Sequence, residues 1–336
     1  MAEMWINMGP QHPMTHGLWN LRVKVDGETI VDAEPVIGYL HRGWEKLTEH
    51  RTYPQVIPMA DRLCYGASMS WSHLYCLTIE NLMDVKVPIA SHLMWLAAYG
   101  TDLGLLTGFV YCMRERELFL DLLQSVTGAR MTYNYPRIGG VRNDLPPNFE
   151  RDCLRVLDYF EKKIDEYEQI YDGSAIFRLR TEGVGMLTPA DGMNLGVTGA
   201  TLRGSGVAFD LRKHDPYSVY PELDWDICTH PGCDCYGRYR VRMDEMRMSC
   251  HIVREALRKM PTGPIRVKVP RNAPKRSAFA RVEDPRGEGA MYAIGDGTDR
   301  PYRLKVRSPI FVTVSAVPVM LIGNKVADVP AVMGSV

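Results

Sequence analysis

Apolar and polar residues alternate along the first part of the chain. The stretch LWNLRVKVDGETIVDAEPVIGYL changes character at nearly every second position around Asp26-Gly27. Alternation with a period of two, centred on an Asp-Gly turn, is typical of a β-hairpin. The pattern therefore predicts an N-terminal β-hairpin region over residues 1–40.

Beyond this region, from Arg42 onward, apolar residues recur every three or four positions, which is the spacing of amphipathic helices. Pro54 and Pro58 are expected to interrupt these helices. Gly128 is expected to end one helix, and Asn148 to cap the start of another. This period predicts a helical core over residues 41–262.

Short alternating segments separated by glycine, proline and aspartate return in residues 263–336 and predict a β-rich C-terminal region. Together the patterns predict an α+β protein that is mainly helical. A helical-bundle core would lie between a small N-terminal β-hairpin or sheet and the β-rich region, in one large integrated domain.

Composition narrows the class of protein. The 40 basic and 40 acidic residues balance, which argues against a nucleic-acid-binding surface. No apolar run reaches the roughly 20 residues that span a bilayer. The N-terminus has no basic region followed by an apolar one, so we expect no signal peptide and, for the eight cysteines, a reducing compartment. The 19 methionines favour a subunit buried among partners.

The stretch NMGPQHPMTHG near the N-terminus places His12 and His16 among two prolines and two glycines. Such a stretch cannot form a helix, since proline removes backbone donors and glycine permits turn geometries. It predicts a loop or hairpin tip that holds two titratable rings rigidly. A turn with two solvated histidines is the alternative.

Six motifs occur in order and identify a family: GPQHPMTHG, LHRGWEKL, ADRLCY, RIGGVRNDLP, GATLRGSGVAFDLRK and EDPRGEGAMYAIGDGTDRPYRLKVRSP. Together they resemble the 49 kDa (D) subunit of respiratory complex I. Its relatives include the D subunit of the archaeal F420H2 dehydrogenase and the large subunit of [NiFe] hydrogenases, whose fold the chain should share. The resemblance covers residues 7–336.

The resemblance implies a quinone site and assigns three catalytic residues. His16 would be the ligand of the quinone headgroup with His12 beside it, Tyr65 would face the headgroup from the other side, and Asp102 would pair with His16. Tyrosine and protonated histidine donate hydrogen bonds that stabilise negative charge on a quinone oxygen. A carboxylate beside the histidine favours its protonated form, and loss of that proton can bias a conformational switch.

His41 and Arg42 match the family motif that faces a [4Fe–4S] cluster held by the neighbouring small (B) subunit. A cation beside a reduced cluster stabilises the added electron; the alternative for Arg42 is a surface charge. Thr132 stands where complex I relatives commonly have a histidine, and this, like Cys64, favours the archaeal or menaquinone-type branch.

Cysteine positions argue against a hydrogenase and against a metal site on this chain. A [NiFe] centre needs two C-x-x-C pairs, and Cys64 is followed at the second position by Ala67. The segment CTHPGCDC could bind zinc, but its spacing matches no strong template. The run IRVKVPRNAPKRSAFAR predicts a solvated loop or, less favoured, a contact with a partner subunit or anionic lipid.

The resemblance thus implies the D subunit of a complex I-like membrane oxidoreductase, in which this chain and the B subunit form the site where quinone, menaquinone or methanophenazine is reduced, coupled to ion translocation. The acceptor would be transient, with no cofactor held permanently by this chain. The expected partners are the B, C and H-type membrane subunits, and the expected location is the cytoplasmic face of the cell membrane. The alternatives are the F420H2 dehydrogenase D subunit specifically, a membrane-bound hydrogenase-type large subunit, and a non-catalytic scaffold remnant.

Two segments depart from the family pattern. About four helical turns are missing between Pro88 and Ile89, next to the expected quinone cavity. The acidic tail that usually follows GSV is also missing.

Overall fold

An antiparallel three-stranded sheet begins the chain in the computed structural model, which describes residues 3–11, 18–83, 103 and 106–336. Its strands, in sheet order, are β1 (Met4–Gln11), β2 (Trp19–Asp26) and β3 (Thr29–Val36). Asp26 pairs with Thr29 across the predicted turn, which confirms the hairpin. The predicted loop begins later than expected, because residues 7–11 belong to β1. Pro10 is compatible with a strand here since β1 lies at the edge of the sheet.

Two short helices, α1 (Trp44–Thr48) and α2 (Tyr53–Ala60), lead from this sheet into the core. A 3₁₀ turn at Tyr65–Ala67 follows and continues into the longer α3 (Ser68–Met83). The helical pattern is interrupted directly before Pro54, since α1 ends at Thr48 and α2 begins at Tyr53, but the expectation that Pro58 interrupts it was wrong. Pro54 occupies the first turn of α2, where its missing N–H costs nothing, and Pro58 lies inside the same short helix.

Long helices form the centre of the fold. α4 (Leu106–Thr127) ends at Gly128, whose φ of 76° and N–H bond to the Gln124 carbonyl at 2.8 Å confirm the predicted cap. α5 (Phe149–Asp172) begins after Asn148, although the Asn148 side chain makes no capping bond. Four short helices follow, α6 (Ala175–Thr181), α7 (Pro189–Asn194), α8 (Gly199–Arg203) and α9 (Leu211–His214). The long α10 (Cys235–Arg258) then packs against α5.

The C-terminal region contains a second three-stranded antiparallel sheet of β6 (Ser277–Asp284), β7 (Gly287–Gly295) and β8 (Pro301–Arg307). α3 lies against β6 and β7. The chain continues as three short helices, α11 (Pro309–Thr313), α12 (Val317–Leu321) and α13 (Val329–Ser335). The structure therefore confirms the α+β class, with small sheets towards both ends of a helical core.

Buried apolar side chains form two clusters. One joins the first sheet to α5, α10 and the C-terminal helices, and the other joins α2 and α3 to the second sheet. A two-stranded ribbon, β4 (Pro136–Arg137) and β5 (Gly140–Val141), lies beside α3. A Cβ at Gly140 would meet the Ile265 carbonyl oxygen at 2.2 Å, so only glycine permits this close approach.

Candidate functional site

The predicted site residues fall into two groups. His12, His16 and Asp102 lie outside the residues that the structure describes, so their predicted roles stay predictions. Tyr65, described here by its backbone, begins the 3₁₀ turn that precedes α3. The HRG motif lies in the turn before α1 and is described in full.

The turn containing His41 and Arg42 is exposed and is bonded to the end of α2. The N–H of His41 donates to the Gly38 carbonyl at 3.0 Å. The Arg42 guanidinium donates through Nη2 to the Arg62 carbonyl at 3.1 Å. Gly43 takes a φ of 62°, which lets the chain turn directly into α1. Arg42 thus presents its charge at the surface while its side chain holds the ADRLCY motif, which ends at Tyr65.

Large apolar side chains that lie close to Arg42 in the sequence are also exposed. Four residues of the same segment expose between 45% and 57% of their area: Ile37, Tyr39, Leu40 and Leu47. A concentration of exposed apolar side chains around a charged group is typical of a protein–protein contact. The segment carrying the HRG motif therefore has the composition of an interface.

The turn at Tyr65 is fixed on both flanks. Cys64 is extended, and its carbonyl accepts the N–H of Ala67 at 3.2 Å, which closes the turn. Ala67 is fully buried, and α3 continues from Ser68. The Cys64 side chain is half-buried. Tyr65 thus lies in a turn that one backbone hydrogen bond closes and that leads directly into α3.

The loop that contains Thr132 reaches the same helix end. The N–H of Asn134 donates to the Asp61 carboxylate at 2.5 Å. Asp61 is fully buried, and burial raises its pKa although Ser72 and this N–H act in the opposite direction. Thr132 itself takes a φ of 52°, which is unusual for a β-branched residue. Thr132 therefore lies two residues from a direct contact with the ADRLCY motif.

Arg286 contacts the turn that contains Tyr65, and the sequence patterns assigned no role to it or to Asp284, although both lie in the EDPRGEG motif. Arg286 is 8% exposed, and its Nη1 donates to Cys64 Sγ at 3.2 Å. Asp284 is 3% exposed. Burial raises the pKa of Asp284 to about 7, and Arg286 acts against that rise through its charge and its backbone N–H. The motif drew attention to both residues in the sequence. Their contacts could be seen only in the folded structure.

A second group of buried charges includes Glu283, the residue before Asp284. Arg203 donates to Glu245 at 2.7 Å and to Glu283 at 2.8 Å, and its Nη1 lies 3.2 Å from the Asp210 carboxylate. Arg212 pairs with the same aspartate at 2.7 Å. Burial raises the pKa of Glu283, although Arg203 opposes the rise. These contacts hold the GATLRGSG segment, α10 and β6 together.

The CTHPGCDC segment does not assemble a ligand set. Cys235 is fully buried, and its Sγ lies 3.6 Å from the Ser335 hydroxyl. The Sγ of Cys233 contacts the Pro231 carbonyl instead, and His230 Nδ1 accepts the N–H of Gly232 at 3.1 Å. Across residues 3–11, 18–83, 103 and 106–336, no group of three metal-ligating side chains is close enough to hold an ion.

The basic run is more ordered than a solvated loop. The Val267 N–H donates to the Gly139 carbonyl at 2.8 Å, and the Val141 N–H donates to the Ile265 carbonyl at 3.1 Å. The run therefore begins as an extended segment on the β4–β5 ribbon and ends in β6. Its charged side chains are mostly exposed, so the predicted contact with a partner or lipid stays a prediction. In the part of the chain that the structure describes, no helix is both long and apolar enough to cross a membrane.

Comparison with solved structures places this fold among respiratory membrane complexes. A chain in the structure of the membrane-bound sulfane sulfur reductase (MBS), an archaeal respiratory membrane complex, superposes with a TM-score of 0.93. The two chains are 31% identical, and the match covers 99% of this chain and 95% of that one. This chain thus shares its fold with a subunit of an archaeal respiratory membrane complex.

Sequence comparison identifies the family. Residues 102–276 and 268–336 match the family described as respiratory-chain NADH dehydrogenase, 49 Kd subunit. The D subunit of the F(420)H(2) dehydrogenase of Methanosarcina mazei is 43% identical over 99% of this chain and 95% of its own length. The D subunit of the NADH-quinone oxidoreductase of Geobacillus kaustophilus is 42% identical over 99% and 96%. The chain belongs to this family of D subunits of oxidoreductase complexes, which confirms the resemblance.

Proposed function

We propose that the chain forms, with a small B subunit, the site at which a quinone-type acceptor is reduced by electrons from a [4Fe–4S] cluster. The observation that carries this proposal is the bond from Arg42 to the Arg62 carbonyl. This bond joins an exposed cation, in a segment with exposed apolar side chains, to the end of α2 that leads into the Tyr65 turn. An arrangement of this kind suits a chain that faces a cluster on one side and an acceptor on the other.

The residues of the acceptor site have complementary roles in this proposal. Tyr65 and His16 donate hydrogen bonds to the two carbonyl oxygens of the acceptor, where negative charge develops on reduction. His12 lies beside His16, and Asp102 pairs with it and favours its protonated form. The partner's cluster would supply two electrons, one at a time, and the two oxygens of the acceptor would each take up one proton. This chain supplies donors and protons, and the partner supplies electrons.

The partner face in this proposal is the segment of His41 and Arg42. A positive charge near the cluster stabilises its reduced form and raises its potential. The exposed apolar residues of the same segment would be buried against the B subunit, and further faces would meet C and H-type membrane subunits. The assembly would lie on the cytoplasmic face of the membrane, where acceptor reduction is coupled to ion translocation.

Purified complex carrying this chain tests the proposal. It is offered soluble quinone, menaquinone and phenazine analogues as acceptors, with electrons from its own donor. We expect the complete complex to reduce at least one of these acceptors faster than the isolated donor module does. Nickel in equimolar amount with the chain would favour the hydrogenase alternative instead. A complex that assembles but reduces none of the acceptors would favour the scaffold alternative.

A further inference from the structure

The structure joins the Tyr65 turn to the hairpin between β6 and β7 through Arg286. Besides the bond from its Nη1 to Cys64 Sγ at 3.2 Å, its Nη2 lies 3.9 Å from the position that a Cβ on Gly66 would occupy. The two ends of one guanidinium thus reach the residues before and after Tyr65. We propose that Arg286 is a positioning residue that holds the Cys64–Gly66 turn and thereby sets the place of Tyr65, an inference that rests on the proposed acceptor site.

Arg286 can act as a fixed support because its own backbone is held tightly. The loop between β6 and β7 consists of Pro285 and Arg286 alone, since Asp284 pairs directly with Gly287. A Cβ on Gly199 would lie 2.4 Å from the Cα of Gly287, so the hairpin and the start of α8 touch through their backbones. This close packing leaves the hairpin little room to shift relative to α8.

A hydrogen bond closes this contact. The N–H of Glu288 donates to the Thr198 hydroxyl at 2.9 Å. The residue on the far side of the turn is therefore bonded to the segment that leads into α8. Both sides of the two-residue loop are thus anchored before the Arg286 side chain extends towards Cys64.

An acidic side chain lies close to Arg286 within this hairpin. Asp284 lies two positions before it, is almost fully buried, and its carboxylate accepts the Arg286 backbone N–H. A buried guanidinium is costly without a nearby negative group. The charge of Arg286 opposes the rise that burial causes in the pKa of Asp284, and the Oδ1 of this aspartate has no hydrogen-bond partner within the described residues.

The position of Tyr65 matters because its hydroxyl must reach the acceptor oxygen on which negative charge develops. A displacement of about 1 Å can lower a catalysed rate by roughly 10²-fold. Lysine at position 286 would keep the charge but could not reach both flanks of Tyr65, since its ammonium is a single point. Methionine would keep most of the volume and remove both contacts.

The test is a double-mutant cycle in the assembled complex. The variants are Arg286→Met, Arg286→Lys, Tyr65→Phe and the double variant Tyr65→Phe with Arg286→Met. The control is Arg281→Met, on the same hairpin, whose partly exposed side chain pairs with Asp215. Turnover and KM for one soluble acceptor are measured for each variant, with complex assembly checked by gel filtration.

If Arg286 acts through Tyr65, Arg286→Met lowers kcat about tenfold to a hundredfold, Arg286→Lys recovers part of the loss, and the double variant is no slower than Tyr65→Phe. Losses that multiply in the double variant, or normal turnover in Arg286→Met, would overturn the inference. If Arg286→Met does not assemble, the same cycle with Arg286→Lys decides between these outcomes. Normal turnover in Tyr65→Phe would overturn the proposed acceptor site itself, which separates the two failures.

Discussion

The indole Nε1 of Trp44 donates a hydrogen bond to the Met59 carbonyl at 3.0 Å and so fixes α1 to the end of α2. Arg42, two residues before Trp44, bonds the Arg62 carbonyl on the same helix end. These two bonds hold the exposed HRG turn and the segment leading to Tyr65 as one unit. Substitution of Arg42 removes one of these bonds, whereas the Trp44 bond still fixes α1 to the end of α2.

Arg42→Met should lower the midpoint potential of the neighbouring [4Fe–4S] cluster. A unit charge at about 10 Å and an effective dielectric constant of about 20 contributes roughly 1–2 kcal/mol, which is tens of millivolts for one electron. Redox titration of the complex followed by EPR measures the potential. Arg155→Met is the control, because Arg155 is 79% exposed on α5. An unchanged midpoint would show that Arg42 does not face the cluster.

Tyr65→Phe should lower acceptor reduction by about 10²–10³-fold while the complex still assembles, since one donor to a developing negative charge is lost. The substitution keeps the ring and leaves the backbone of the turn as it is. Steady-state reduction of a soluble quinone by the intact complex measures the effect. Activity within a factor of two of the wild type would rule out a hydroxyl donor at this position.

His16→Met and Asp102→Asn should each impair acceptor reduction, and the double variant should be little worse than the worse single variant. The reason is that removal of either partner leaves the other charge unpaired in a partly dry cavity. The rates of the three variants and the wild type complete the cycle. Strictly additive losses would mean that the two residues, 86 positions apart in the sequence, do not form a pair.

The sequence predicted local structure well where one residue controls it. Gly128 ends α4 because a left-handed residue stops the helix, and Asp26-Gly27 forms the hairpin turn for the same reason. Pro58 was misjudged, because it lies inside α2, where a proline is expected to break the helix. The contact of Arg286 with Cys64 joins residues 222 positions apart, and no local pattern encodes it. The motifs marked both residues, and only the packing of the second sheet on α3 brings them together.

Glu80 on α3 allows a prediction about pH and stability. It is 1% exposed, its Oε1 accepts the Gly139 N–H at 2.9 Å, and its Oε2 has no partner within the described residues. Burial raises the pKa of Glu80 from 4.5 to about 7, and the Gly139 bond only partly opposes this. The folded state therefore holds a proton that the unfolded chain releases between about pH 4.5 and 7. Stability from this group is complete below pH 4.5 and is lost as the pH rises to 7.

Glu80→Gln removes that dependence, because glutamine keeps the acceptor oxygen and carries no charge. Relative to the wild type, the variant should gain stability as the pH rises from 5 to 8, by up to about 3 kcal/mol from the pKa difference. Thermal-shift measurements on the assembled complex at both pH values give the comparison. Glu28→Gln, at a side chain that is 82% exposed, should show no such gain. An equal effect of Glu80→Gln at both pH values would mean that Glu80 is ionised in the folded chain across this range.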